Sequence, residues 1–176
     1  KALQDDCVKF VAFSQQQIFA ASVGVLGFIT SHSFVDNPTL RGMRQSLEQT
    51  FQLTHVVDLH GNSTRKERCP DGTDDVNVFD IKQGVALLIA VRSPAPASAG
   101  MVQYSELWGS RESKYNQLRG TSIRSTSFTK AVPAAPSYLF KPQPADIRLE
   151  CEAAIKITDV FLKGSVGIIT ARDNLV

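Results

Sequence analysis

The chain lacks any apolar run long enough to cross a bilayer, any glycine-rich phosphate loop and any internal repeat, and it has three cysteines and one tryptophan in 176 residues. Each scarcity excludes something. A membrane span needs roughly 20 consecutive apolar residues, whereas the longest candidate here, Val85 to Val91, has the length of a strand. No membrane partner is expected. The N-terminal region carries Asp5 and Asp6 where a secretory leader would be continuously apolar, which argues against a signal peptide. Cys7, Cys69 and Cys151 are odd in number and far apart, a usage that argues against a disulfide framework and for a reducing, cytoplasmic setting. The net charge of +2 does not mark a nucleic-acid binder, so any basic surface must come from local clustering.

The usual chemical motifs are also missing. Gly24 and Gly27 lie at the start of and within "VGVLGFIT", residues 23 to 30, and no helix directly follows the second, so they do not form the strand-to-helix turn that cradles a nucleotide-like cofactor. His32, His55 and His60 share no ligand spacing with the cysteines, and "DGTDD" lacks the full calcium-loop pattern and reads as a solvated turn. No metal ligands are expected. "SHS" with Asp58 suggests a hydrolytic triad, but no nucleophile elbow places a serine. Asp71 followed by "ESK", residues 112 to 114, is a loose match to magnesium-dependent nucleases, yet the first reads as loop and the second as helix.

With 43% hydrophobic and 20% charged residues, the chain is suited to an ordinary globular core. Val8, Val11, Ala12, Gln15, Ile18 and Phe19 fall near one helical face between Asp5 and Ala21. Residues 23 to 30 then read as a strand buried on both faces. In "SHSFVDNPTLRGMRQSLEQTF" Asn37 can cap, Pro38 suits a first turn, and Leu40, Met43, Leu47 and Phe51 make an apolar stripe. "THVVDLH", residues 54 to 60, gives a second strand and Val85 to Val91 a third, after a polar connection of roughly two dozen residues, a length that is usually functional or mobile. Strand, helix, strand is an open α/β pattern. "SPAPASAG" reads as a connector, "MVQYSELWG" as a further strand, "SRESKYNQLRG" as a short helix closed by Gly120, and residues 121 to 146 as extended or irregular. "PADIRLECEAAIKI" is a helix candidate, and "GSVGIITARDNLV" has the pattern of a strand and loop.

The runs "SHSFVDNPTLRGMRQSLEQTF", "VVDLHGNSTRKERCPDGTDDVNVFDIKQGVALLIAV" and "GIITARDN" closely resemble, in order, the adenine-specific DNA methyltransferase region of single-polypeptide, type ISP, restriction-modification enzymes. The resemblance implies the C-terminal half of a Rossmann-like S-adenosylmethionine-dependent methyltransferase sheet with an α+β extension. It divides the chain into 1–92 for that half, 93–146 for connector and extension, and 147–176 for the start of a target-recognition region. The first residue is lysine, and the resemblance places the family's cofactor motif and its Asn-Pro-Pro-aromatic motif before it. The chain alone is therefore expected to hold no cofactor, to supply no catalytic residue and to be inactive. S-adenosylmethionine would serve the intact enzyme. Expected partners are double-stranded DNA, the remainder of the restriction-modification polypeptide and, through a bare sheet edge, a second copy.

The resemblance also bears on Phe79, the lone aromatic at the mouth of the greasiest strand. Read from the residues alone, it is a core plug. In the related enzymes an aromatic in the matching loop-to-strand motif packs on the adenine that is flipped from the duplex, which gives Phe79 that role and leaves Asn77 either to touch the base or to shape the turn. Arg41, Arg44, Arg65, Lys66 and Arg68 would meet phosphates or form a solvated face. A non-catalytic module that docks DNA or a protein, and a nuclease part, are the competing readings.

Overall fold

The computed structural model describes residues 5–94, 100–144 and 154. The helix candidate at residues 144–157, the strand candidate at residues 164–176 and the expected target-recognition segment therefore lie almost wholly outside the described residues. Two compact units divide the chain, Lys1–Pro142 and Gln143–Val176, and the described elements belong to the first.

Helix α1 spans Asp6–Ala21, and the Asp5 side chain caps it by accepting from the Cys7 amide. Strand β1, Gly24–Ser31, follows. A short helix α2, Ser33–Asp36, and a 3₁₀ turn, Pro38–Leu40, lead into α3, Arg41–Thr50. The Asn37 side chain accepts from Thr39 N and fixes that turn just ahead of the expected stripe. Leu40, Leu47 and Phe51 are buried, and Met43 packs against the same core. Then come β2, Leu53–Asp58, β3, Val85–Arg92, β4, Met101–Glu106, α4, Arg111–Gly120, and β5, Thr129–Ala131.

The five strands form one mixed sheet in the order β1-β3-β2-β4-β5. β3 runs antiparallel to both its neighbours, β2 and β4 are parallel, and β4 and β5 are antiparallel. Hence β1, β2 and β4 point the same way, and their C-terminal ends meet at one rim. The sheet also runs on past residue 92, because β4 registers with the full length of β2 from Leu53↔Met101 to Asp58↔Glu106.

Alternation sorts side chains to two faces. Leu26, Val56, Leu88, Ala90 and Val102 join Val11 of α1 and Leu47 of α3 in the larger core, while Val57, Leu59, Val78 and Val85 pack with Tyr115 and Leu118 of α4 on the other face. One strand departs from expectation. β1 is an edge strand, and Val25 and Ile29 on its outward face are 65% and 52% exposed, so it is covered on one face only. The apolar run reads as doubly buried because both faces carry apolar residues, and sequence cannot say which of them meets a neighbour. Ala12 and Phe19 are likewise exposed on α1, the Phe19 ring lying 4.7 Å from the Arg92 guanidinium.

Candidate functional site

The connection between β2 and β3 is long but heavily anchored. Lys114 of α4 donates from Nζ to Asp75 Oδ1 at 2.7 Å, to Leu59 O at 2.7 Å and to Val76 O at 2.9 Å. Asp75 in turn accepts from the amides of Gly61 and Gly109. Neither side chain of the ion pair is exposed. Gly61 has φ of 78°, and any Cβ there would collide with the Asn77 backbone, so glycine is required at that crossing.

These anchors hold the segment Asn77-Val78-Phe79. The Asn77 Nδ2 group donates to Gly61 O and Gln83 O, and its Oδ1 accepts from Phe79 N at 2.9 Å, an Asx turn. Arg111 donates to Asn77 O and Tyr115 to Val78 O. Val78 is 2% exposed and plugs the core, whereas Phe79 is 41% exposed. Phe79 is thus no core plug. It opens onto a cleft of about 350 Å³ that Ser63, Ile81, Lys82 and Arg111 also line. Asn77, a candidate for touching a base, is 8% exposed and committed to the backbone. It shapes the turn that presents Phe79.

The cationic candidates do not form one surface. Arg44 is the clear correction: it is 0% exposed, and its guanidinium donates to the carbonyls of Phe34, Asn37, Ser137 and Tyr138. A side chain that staples residues 137–138 to α3 cannot meet a phosphate. Its charge suggests a solvated residue, but the spacing points to burial, because Arg44 shares the helix face of Leu40 and Leu47, a position that a solvated arginine would avoid. Arg41, Arg65, Lys66 and Arg68 are exposed. Arg68 is paired with Asp74 at 3.1 Å, and Arg65 lines a second, larger cleft and not that of Phe79.

That second cleft, about 870 Å³, opens at the rim where β1, β2 and β4 end. In open α/β sheets this is where ligands bind. His32 follows β1, Asp58 ends β2 and Glu106 ends β4; His32, Asp58 and His60 are 5%, 5% and 7% exposed. His32 Nδ1 lies 3.2 Å from Asp58 Oδ1, and Asn62 Nδ2 lies 3.1 Å from His32 Nε2. A Cβ on Gly84 would come within 2.6 Å of the His32 ring, so glycine there leaves room for it. His60 has φ of 50°, its amide donates to Asp58 Oδ1, its Nε2 lies 3.2 Å from Glu106 Oε2, and Trp108 stacks on it with centroids 3.4 Å apart.

Burial alone would lower the pKa of His32, but the hydrogen bond and charge of Asp58 outweigh it and raise the value. Asp58 moves the other way: burial pushes it up, and the His32 hydrogen bond with the charge of His60 brings it below the ordinary range. Tyr104 is held above its ordinary range by burial and by Asp58 and Glu106, so it remains a donor, 3.1 Å from Glu106 Oε2. Among the described residues no serine completes a triad, because Ser31 and Ser33 bond to each other and His32 Nε2 faces Asn62. The nuclease pattern is not assembled either: Asp71 sits in an exposed turn with Thr73, and Lys114 is spent on Asp75. The sequence suggests the pairing of His32 with Asp58 as part of a triad but does not join His60 to it, because the cluster draws on two strand ends whose separation in sequence carries no motif.

No family model and no curated protein matches the chain. Solved structures do. Over 83% of this chain and 10% of its own length, the ATP-dependent type ISP restriction-modification enzyme LlaBIII bound to DNA superposes with a TM-score of 0.66 at 23% identity. The DrdV–DNA complex, seen by cryo-electron microscopy, gives 0.64 at 24% identity over 76% of this chain and 13% of that one. A nuclease-deletion mutant of the type ISP enzyme LlaGI, in complex with a DNA substrate mimic, gives 0.63 at 21% identity over 76% and 11%. The chain thus spans between 10% and 13% of the length of these neighbours and shares the fold of one segment of each.

Proposed function

We propose that the chain forms the closing part of the adenine-specific DNA methyltransferase region of a larger restriction-modification polypeptide, in which Phe79 stacks on an adenine rotated out of the duplex. The observation that carries this reading is the presentation of Phe79: an exposed ring on a turn pinned at Asn77 and Val78, as a base-capturing platform requires. Two others support it. In the resembled family one strand of the sheet runs antiparallel to its neighbours, a place the resemblance gives to Val85 to Val91, and β3 does lie antiparallel between β1 and β2; the structural neighbours are complexes with DNA. S-adenosylmethionine would supply the methyl group. The resemblance assigns its binding to polypeptide preceding this chain. The edge of β1 is where that polypeptide would extend the sheet, and it would cover the outward face that carries Val25 and Ile29.

The chain's own contribution is to position. Asn77, Arg111 and Tyr115 fix the turn, Phe79 takes the base, and Arg41, Arg65, Lys66 and Arg68 would meet phosphates. The test joins the chain to the preceding part of its polypeptide and measures single-turnover methylation of DNA. Phe79→Ala should slow it by about five- to 150-fold, the equivalent of roughly 1–3 kcal/mol of lost stacking, while Phe79→Trp retains most of it. Normal methylation by Phe79→Ala would refute the stacking role. No methylation by the joined protein would favour a docking module, in which Val76, Phe79 and Ile81, all more than 40% exposed, form an apolar contact surface.

A further inference from the structure

From the cluster at the rim of the sheet we infer that this chain binds a divalent transition-metal ion of the zinc type through His32, Asp58 and His60, with Glu67 as a fourth ligand. One ligand atom from each of the first three lies within 4.8 Å of the others. His60 Nδ1 is the telling atom: it is buried, has no hydrogen-bond partner among the described residues, and faces Asp58 Oδ2 at 3.8 Å and Glu67 Oε2 at 3.9 Å. Those separations, with 3.2 Å between His32 Nδ1 and Asp58 Oδ1, leave room for an ion at the ordinary bond lengths of about 2.0–2.2 Å after small side-chain shifts. Two imidazoles and two carboxylates suit zinc and its neighbours, and the carboxylates balance a double positive charge.

The surroundings fit as well. A ligating histidine normally gives its other nitrogen to a polar group that orients it. His60 Nε2 lies against Glu106 and His32 Nε2 against Asn62. On binding, the His32 proton moves from Nδ1 to Nε2, and the Asn62 amide turns its oxygen to accept it, giving up the hydrogen bond that this oxygen receives from Arg65 N. The site joins the ends of β1 and β2 to Glu67 in the long connection, so the ion would brace the first part of that connection, next to Leu59, whose carbonyl Lys114 already holds. This inference stands apart from the methyltransferase reading, since no step of it involves DNA or a methyl donor.

The test uses the whole chain, stripped with a chelator, in a Cys7→Ser, Cys69→Ser background that removes the thiols of the described residues. Zinc chloride is titrated against a competing chromophoric chelator, and the fluorescence of Trp108, the sole tryptophan, reports on the ring stacked against it. One equivalent should bind with a dissociation constant tighter than about 10 μM, raise the melting temperature and change the Trp108 emission. His60→Gln and His32→Gln should each abolish this, and Glu106→Gln should weaken binding by about 10- to 100-fold. His55→Gln should bind normally. Circular dichroism identifies variants that fold, and if His60→Gln does not, His32→Gln and Glu106→Gln carry the test. Binding weaker than about 100 μM, binding unaffected in folded His32→Gln, or saturation without a change in Trp108 emission would each overturn the site and leave a metal-free hydrogen-bonded network.

Discussion

Replacing Lys114 by methionine keeps most of the side-chain length and removes a charge that nothing nearby can replace. In the native protein Nζ has three acceptors, Asp75, Leu59 O and Val76 O, and both side chains of the ion pair are fully buried. The variant leaves Asp75 with two amides, from Gly61 and Gly109, and strips two carbonyls of their donor. Breaking a buried pair on one side costs about 3–5 kcal/mol, because the remaining charge stays desolvated. With a urea m-value of about 2 kcal/mol/M, the unfolding midpoint should fall by about 1.5–2.5 M. The double variant Lys114→Met, Asp75→Asn buries no charge and should be more stable than Lys114→Met alone. Hydrogen exchange in the single variant should rise at Gly61, Val76 and Gly109. A loss below about 1 kcal/mol, or a double variant that shows the sum of the two single losses, would refute the claim that this pair anchors the connection.

Arg44→Leu should destabilise the fold by about 3–5 kcal/mol in chemical unfolding, since four carbonyls lose a charged donor, whereas Arg41→Ala should stay within about 0.5 kcal/mol. An Arg44→Leu variant that is fully stable but impaired in DNA binding would overturn the assignment. His55 is buried, and burial lowers its pKa with only partial compensation from Gln103; its share of stability is full above the ordinary value of about 6.5 and is lost as the pH falls through that value towards the folded one. Urea midpoints from pH 8 to pH 5 should therefore fall more steeply for the native chain than for His55→Gln, and parallel profiles would contradict this. By itself the chain is expected to self-associate through the β1 edge and its outward face, and the pair Val25→Lys, Ile29→Lys should return it to a monomer in sedimentation. A native chain that sediments as a monomer throughout would count against that.

Helices and strands were legible wherever period and punctuation agreed. Asn37-Pro38 ahead of Leu40, Leu47 and Phe51 announces α3, and Ser110 with Gly120 brackets α4, whose first turn the Ser110 side chain caps by accepting from Ser113 N. Hydrophobicity conveys which residues avoid water but not what covers them, which is why β1 read as doubly buried and is half open. Charge was read least well. Arg44 and Lys114 read as surface residues by charge alone, although Arg44 stands on the apolar stripe of its helix, and both are fully buried because segments distant in sequence, residues 137–138 and 75–76, bring them carbonyls and a carboxylate. The turn at Asn77 was visible from its residue type; of the rim cluster the sequence suggests only His32 with Asp58, as a triad, and does not add His60, since the three meet only through the pairing of β1 and β2 with β3.

The long connection between β2 and β3 would be a poor platform if it moved, because each contact it made would then bear the entropy of ordering it first. Its anchors remove that cost in advance. At one end Asp58, His60, Asn62 and Glu67 are tied to the rim by side-chain hydrogen bonds; at the other, Asp75, Val76 and Asn77 are tied to α4 through Lys114 and Arg111. Between them the small turn closed by Arg68 and Asp74 is exposed and bonded chiefly to itself. Order is therefore concentrated where Phe79 is presented and where the histidines meet, and the charged residues between them are left free to adapt. This division explains how one segment can hold a fixed aromatic beside an adaptable turn whose charges, Arg68, Asp71 and Asp74, are exposed, two properties that a uniformly rigid or uniformly mobile loop could not supply together.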